Sequence, residues 1–329
     1  MKPAALSCLV LLAFHLQAAD SNALTLVKII PLPDVHGRID HMTLDVRRLR
    51  LFVAALDNNT VEETDLVGGK RVRTIGDCSE PQGLAFVPRE NRLVIANGGS
   101  GVVKILDASS FETLKSIGDL PDADNVRYDA KSDLIYVGYG DGALAVIRAA
   151  TGERVADIQL AGHPESFQLE RNGSRLFVNI PAGKQVAVVD RDRQVELAEW
   201  PMKEFGGHFP MALDETNHRL LIGCRNPARL VVLDTMTGKH VAGPAIDKDT
   251  DDLFFDASRK VIYVSCGAGF IDVIEQRNAD SYELLERIPT RSGARTSYFS
   301  SERGEFYLAV RAGSGSGGAE IRVYQCDSR

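Results

Sequence analysis

The stretch Asn91-Arg92-Leu93-Val94-Ile95-Ala96-Asn97, then Gly98-Gly99-Ser100-Gly101, then Val102-Val103-Lys104-Ile105-Leu106-Asp107, decides the fold. Two short β-branched apolar runs joined by a Gly-rich link read as neighbouring strands of one hairpin. The triplet Leu93-Val94-Ile95 has copies at Leu51-Phe52-Val53, Ile135-Tyr136-Val137, Leu176-Phe177-Val178, Leu220-Leu221-Ile222 and Ile262-Tyr263-Val264. A weaker copy is Phe306-Tyr307-Leu308. The steps between successive copies are 41 to 44 residues. A period in the forties, with four short β-patterned runs per unit, means a propeller and not a helical solenoid. No helical periodicity is sustained.

Each unit reads alike. A short first strand ends at a turn often opened by Asp, as at Asp45, Asp129, Asp214 and Asp256. The apolar triplet forms the second strand. A Gly- or Asn-rich loop leads to a third strand that ends on an acid, as in Val231-Val232-Leu233-Asp234. A turn such as Thr237-Gly238-Lys239 feeds the fourth. The recurring Asp residues are read as turn caps that accept backbone N–H groups, not as metal ligands. The seventh unit ends after Ile321-Arg322-Val323-Tyr324 with no fourth strand. One spare strand, Leu24-Thr25-Leu26-Val27-Lys28-Ile29-Ile30, precedes the first unit. The expectation is an all-β, seven-bladed β-propeller of four-stranded antiparallel blades. The N-terminal strand completes blade seven and closes the ring, which hides the sheet edges. Residues 20–329 then form one propeller domain.

The unit from Asn91 to Asp107, and its counterpart from Arg219 through Lys239, resemble the YVTN-type β-propeller repeat. The whole chain after its leader is similar to YncE-like exported propellers. The resemblance implies a binding or surface protein and names no ligand. Lactonases and cofactor-dependent dehydrogenases share the shape, so it does not carry an activity across. Trp200 is the single Trp, and the Trp docking pattern of quinone-dependent propellers does not occur.

Residues 1–19 read as a signal peptide. Lys2 precedes an apolar run from Ala4 to Leu16, and Gln17-Ala18-Ala19 offers a cleavage site. The run is shorter than the ~20 residues a spanning helix needs. Export to the periplasm or outside the cell, with no transmembrane anchor, is expected. Five cysteines occur. Cys8 leaves with the leader, and Cys78, Cys224, Cys266 and Cys326 are read as buried thiols, with disulfides permitted in that compartment. The net charge of -7 and pI near 5.6 argue against a nucleic-acid surface. A monomer is expected.

A site belongs on the face where fourth-to-first-strand loops converge on the channel. Aligning the units on the triplet, the two residues before each first strand are Asp40-His41, Gln82-Gly83, Asp124-Asn125, Glu165-Ser166, Phe209-Pro210, Asp251-Asp252 and Arg295-Thr296. The next positions inward read as mostly apolar. His36, Arg38, His163, His208 and Thr250 flank this ring, and Arg225 lies in a basic second-to-third-strand loop. The ligand-binding set expected is Asp40, His41, Gln82, Asp124, Asn125, His163, Glu165, His208, Arg225, Asp251, Asp252 and Arg295. It would take a small molecule, or a protein or cell-envelope partner docked on the same face. The alternative is a metal-dependent, lactonase-like hydrolase. There Asp124, Asn125, Glu165 and Asp251 would hold Ca2+ or Mg2+, and His41 or His208 would act as general base. No nucleophile elbow, His-Glu-x-x-His or phosphate loop occurs.

Overall fold

In the computed structural model, which describes residues 23–313 and 317–327, the apolar triplets run through the middle of seven four-stranded sheets. Leu93, Val94 and Ile95 are fully buried although successive strand residues point to opposite faces. Both faces of every blade are covered by neighbours, so the second strands are continuous apolar runs. One core cluster joins Val94, Ala96, Val103 and Ile105 of blade two to Ile135, Val137, Ala145 and Ile147 of blade three. Another joins Tyr263, Ile271 and Val273 of blade six to Phe306, Leu308 and Tyr324 of blade seven. The outermost strands have a free face, and there the pattern alternates, as in Glu153–Gln159.

Blades one to six occupy residues 42–75, 81–117, 126–159, 167–201, 206–242 and 250–289, each with its strands in chain order from the channel outwards. Blade seven is assembled from both ends of the chain. Strands Ser297–Ser300, Glu305–Val310 and Ala319–Cys326 are completed by Leu24–Leu32. Leu24 pairs with Cys326 and Leu32 with Ala319, antiparallel, with one irregularity between Leu26 and Lys28. Leu24, Ile30 and Leu32 are buried, while Leu26, Val27 and Ile29 face solvent. The closure expected from the spare strand is therefore the closure observed.

The Asp-opened turns behave as caps. The Asp45 carboxylate accepts from the N–H groups of Arg47 and Arg48, and Asp256 from those of Ser258 and Arg259. Asp107, Asp190 and Asp234 do the same at third-strand ends. Cys78, Cys224, Cys266 and Cys326 are free and buried. Residues 1–22, which include the expected leader and Cys8, lie outside the described residues, as do residues 314–316. No helix among the described residues is long and apolar enough to cross a membrane.

Candidate functional site

The aligned residue pairs turn out to share one backbone device. Asp40 N–H donates to the Ala54 carbonyl at 2.7 Å, and Ala54 N–H donates back to the His41 carbonyl at 3.1 Å. Two residues of the inner chain thus oppose one residue of the second strand. The same exchange joins Asp124-Asn125 to Gly138 and Glu165-Ser166 to Asn179, and Ala309 donates to Thr296. Register shifts fall at the corresponding places in blades two, five and six. Each is a β-bulge, which bends the strand and re-aims its side chains. The opposing residue follows the apolar triplet and is short in every blade: Ala54, Ala96, Gly138, Asn179, Gly223, Ser265 and Ala309. At Gly83 the ring tolerates no side chain, since a Cβ there would lie 2.0 Å from the Asp124 carbonyl oxygen.

The bulges open onto a cavity of about 280 Å³ at the channel mouth. Ten of the twelve expected residues line it: Asp40, His41, Gln82, Asp124, Asn125, His163, Glu165, Arg225, Asp251 and Arg295. Arg38, Asp122, Ser166 and Phe209 complete the wall, so all seven blades contribute. Asp252 lies one level deeper. Its Oδ1 is 3.5 Å from His41 Nδ1, and its Oδ2 accepts from the Ser297 N–H at 2.7 Å.

His208 is not in the cavity. It is fully buried beside blade four, with Nε2 3.1 Å from the Gln185 carbonyl oxygen, and burial lowers its pKa. It precedes the bulge pair Phe209-Pro210 by one position, so its side chain leaves the strand on the other face. His36 is exposed and holds Asn58 through its backbone. Of the four histidines expected in or beside the ring, His41 and His163 line the cavity.

Charge is divided across the mouth. On one side Arg225 donates to the Thr250 carbonyl and to Asp251 at 2.7 Å, and its guanidinium lies 4.2 Å from the Phe209 ring centre. Arg295 reaches Asp249 at 2.8 Å and Asp251 at 2.9 Å. Burial pushes Asp251 up to about 6 even against these two arginines. On the other side Asp124, His163 and Glu165 bring three potential ligand atoms within 4.8 Å of one another. Burial, then the facing Glu165 charge, pushes Asp124 up to about 8. Burial, then Asp251, pushes Glu165 up to about 7. Between the two sides sits His41. Burial works against its charged form, but Asp252 and Asp40 outweigh that and raise it to about 10. It is an imidazolium at neutral pH and not an available base.

Below the mouth lies a second cavity of about 350 Å³. Arg127, Gln168, Thr43 and Tyr298 line it, each two positions past its bulge pair. The positions directly after the pairs, Met42, Leu84, Val126, Phe167, Met211, Leu253 and Ser297, are mostly apolar as expected, and the charged and polar groups of this cavity stand one residue further on. Arg127 has no carboxylate within 4 Å among the described residues; its guanidinium lies 5.5 Å from the Phe167 ring centre and 3.4 Å from Ser166 Oγ. The signal that marks these residues is the same alignment, read three positions past the first bulge residue.

No family model and no curated relative matches the chain. Solved structures do. A chain of the mitotic checkpoint complex superposes with a TM-score of 0.77 at 12% identity, over 99% of this chain and 98% of that one. A chain of Kuenenia stuttgartiensis hydrazine synthase gives 0.74 at 16% identity, over 90% and 96%. In all, 1768 solved chains match, so the likeness establishes the seven-bladed propeller and does not choose among its uses.

Proposed function

We propose that this protein is an exported, YncE-like propeller that binds a small polar ligand at its channel mouth. One observation carries the reading: all seven blades aim polar side chains into a single concave site of about 280 Å³. A ring of bulges that only packed its own blades would not require titratable groups there. Propellers of this shape commonly serve as binding or scaffold modules, which agrees with that reading. Export and a monomeric state belong to the same proposal, resting on the leader-like residues 1–19 and the closed ring. A protein or cell-envelope partner would dock on the same face. The hydrolase alternative is weaker, because His208 lies outside the cavity and His41 is held charged.

The test is a thermal-shift screen of small polar metabolites on chelator-treated protein, followed by calorimetry on Arg225→Ala and Gln82→Leu. A compound that stabilises the wild type and binds these variants at least tenfold more weakly supports the reading. If no compound shifts the wild type, or the shift is unchanged in both variants, the funnel is not a ligand site.

A further inference from the structure

Two carboxylates and an imidazole face one another at the junction of blades three and four. Asp124 and Glu165 are the first residues of successive bulges, and His163 lies two residues before Glu165. Their ligand atoms all fall within 4.8 Å of one another. Metal–donor bonds of about 2.0–2.2 Å place donors roughly 3–4.4 Å apart, so the cluster needs only slight closure. Among the described residues neither carboxylate has a salt-bridge partner within 4 Å, and the two acids crowd one another with His41 and Arg225 acting only from further away.

Two further observations point the same way. His163 Nδ1 lies 2.6 Å from the Gly140 carbonyl oxygen. With a carbonyl as partner Nδ1 is the donor, so Nε2 is the nitrogen left to act as a ligand, and such a contact is the usual outer support of a metal-bound histidine. Asn125 lines the same cavity, is 2% exposed, and its Oδ1 receives no hydrogen bond. A buried amide oxygen without a donor is costly unless something positive meets it.

We propose that Asp124, His163 and Glu165, with the Asn125 amide oxygen, bind one first-row transition-metal dication at the channel mouth. The inference deepens the ligand-binding reading and uses the same cavity. It replaces the oxygen-only set expected for Ca2+ or Mg2+. Asp251 is held between Arg225 and Arg295, while the added imidazole suits Mn2+ or Zn2+ better than the hard cations.

The experiment titrates chelator-stripped full chain with Mn2+, Zn2+, Ca2+ and Mg2+ separately, by calorimetry. One Mn2+ or Zn2+ per chain should bind, at least tenfold more tightly than Ca2+ or Mg2+. His163→Ala and Glu165→Gln should each weaken that binding tenfold or more, while His36→Ala, on the same face but outside the cavity, should not. Metal-free Glu165→Gln should melt no lower than the metal-free wild type, since it removes one of two crowded ionisable groups; this separates lost binding from lost folding. The proposal is overturned if neither Mn2+ nor Zn2+ binds at millimolar concentration, if Ca2+ or Mg2+ binds more tightly, or if both variants bind like the wild type. An organic ligand that still binds through Arg225 in such a case would leave the funnel reading standing.

Discussion

Between pH 5 and pH 8 the metal-free protein should lose stability as pH rises, and the cavity is the cause. Asp251, Glu165 and Asp124 are pushed up to about 6, about 7 and about 8. In the unfolded chain such groups titrate near ~4. Across the window the folded protein therefore holds protons that the unfolded chain has released. Stability from a raised pKa is complete below the unfolded value and is lost as pH climbs through the folded one. His41, held charged up to about 10, adds in the same direction above its ordinary value. His208 has the opposite sign, because burial keeps it neutral, and its effect ends near its ordinary pKa. Asp65 is lowered by Arg50 and Asp107 by the Ser110 N–H, so what they contribute is lost only at more acid pH. One retained proton is worth about 1.4 kcal/mol per pH unit. The three acids crowd one space, so counting a single proton over the window gives about 4 kcal/mol, against a typical total of about 5–15. Urea unfolding at four pH values, with chelator present, measures it. Asp124→Asn should flatten the decline and be the more stable protein at pH 8. A wild-type stability that is level or rising from pH 6.5 to 8, or a parallel slope in the variant, would refute the reasoning.

Two other predictions concern the scaffold. Ile30→Ala, in the fully buried part of the closing strand, should lower stability by about 2–4 kcal/mol in urea unfolding. Val27→Ala, on its exposed face, should change it by less than about 0.5 kcal/mol. Gly83→Ala must displace the Asp124 backbone, so it should cost about 1–3 kcal/mol. The same variant should weaken Mn2+ or Zn2+ binding in the calorimetric titration, although residue 83 itself offers no ligand.

The fold was legible because the apolar triplets are a physical necessity. A strand buried on both faces must be apolar at consecutive positions, and Leu93-Val94-Ile95 could recur every 41 to 44 residues only if each unit met the same environment. The mouth was legible for the same reason, since aligned positions inherit aligned geometry. What escaped was side-chain direction. His208 and Phe209 are neighbours in sequence, yet only Phe209 lines the cavity, because one step along a strand reverses the face. The bulge itself could not be read from the pairs alone. Its mark is the short residue after each triplet, Ala54 or Gly138 for example, whose partner lies some fourteen residues away in sequence. Asp122 and Arg127 escaped because each lies outside the aligned pair, one before it and one after it.

The closing strand sets an order of assembly. Residues 24–32 pair with residues 319–326, so the earlier strand has no sheet partner until residues 319–326 have been synthesised. Six blades can form from local hairpins as the chain lengthens, but the seventh is the most non-local contact in the molecule. Until it forms, the ring is an open crescent with two unpaired edges, and an open edge invites pairing with another chain. The joint between residues 24–32 and 319–326 is therefore the place where a growing molecule is most exposed to its neighbours. A permuted chain that began at Met42 and carried residues 24–32 after Cys326 would turn that long-range joint into a local hairpin.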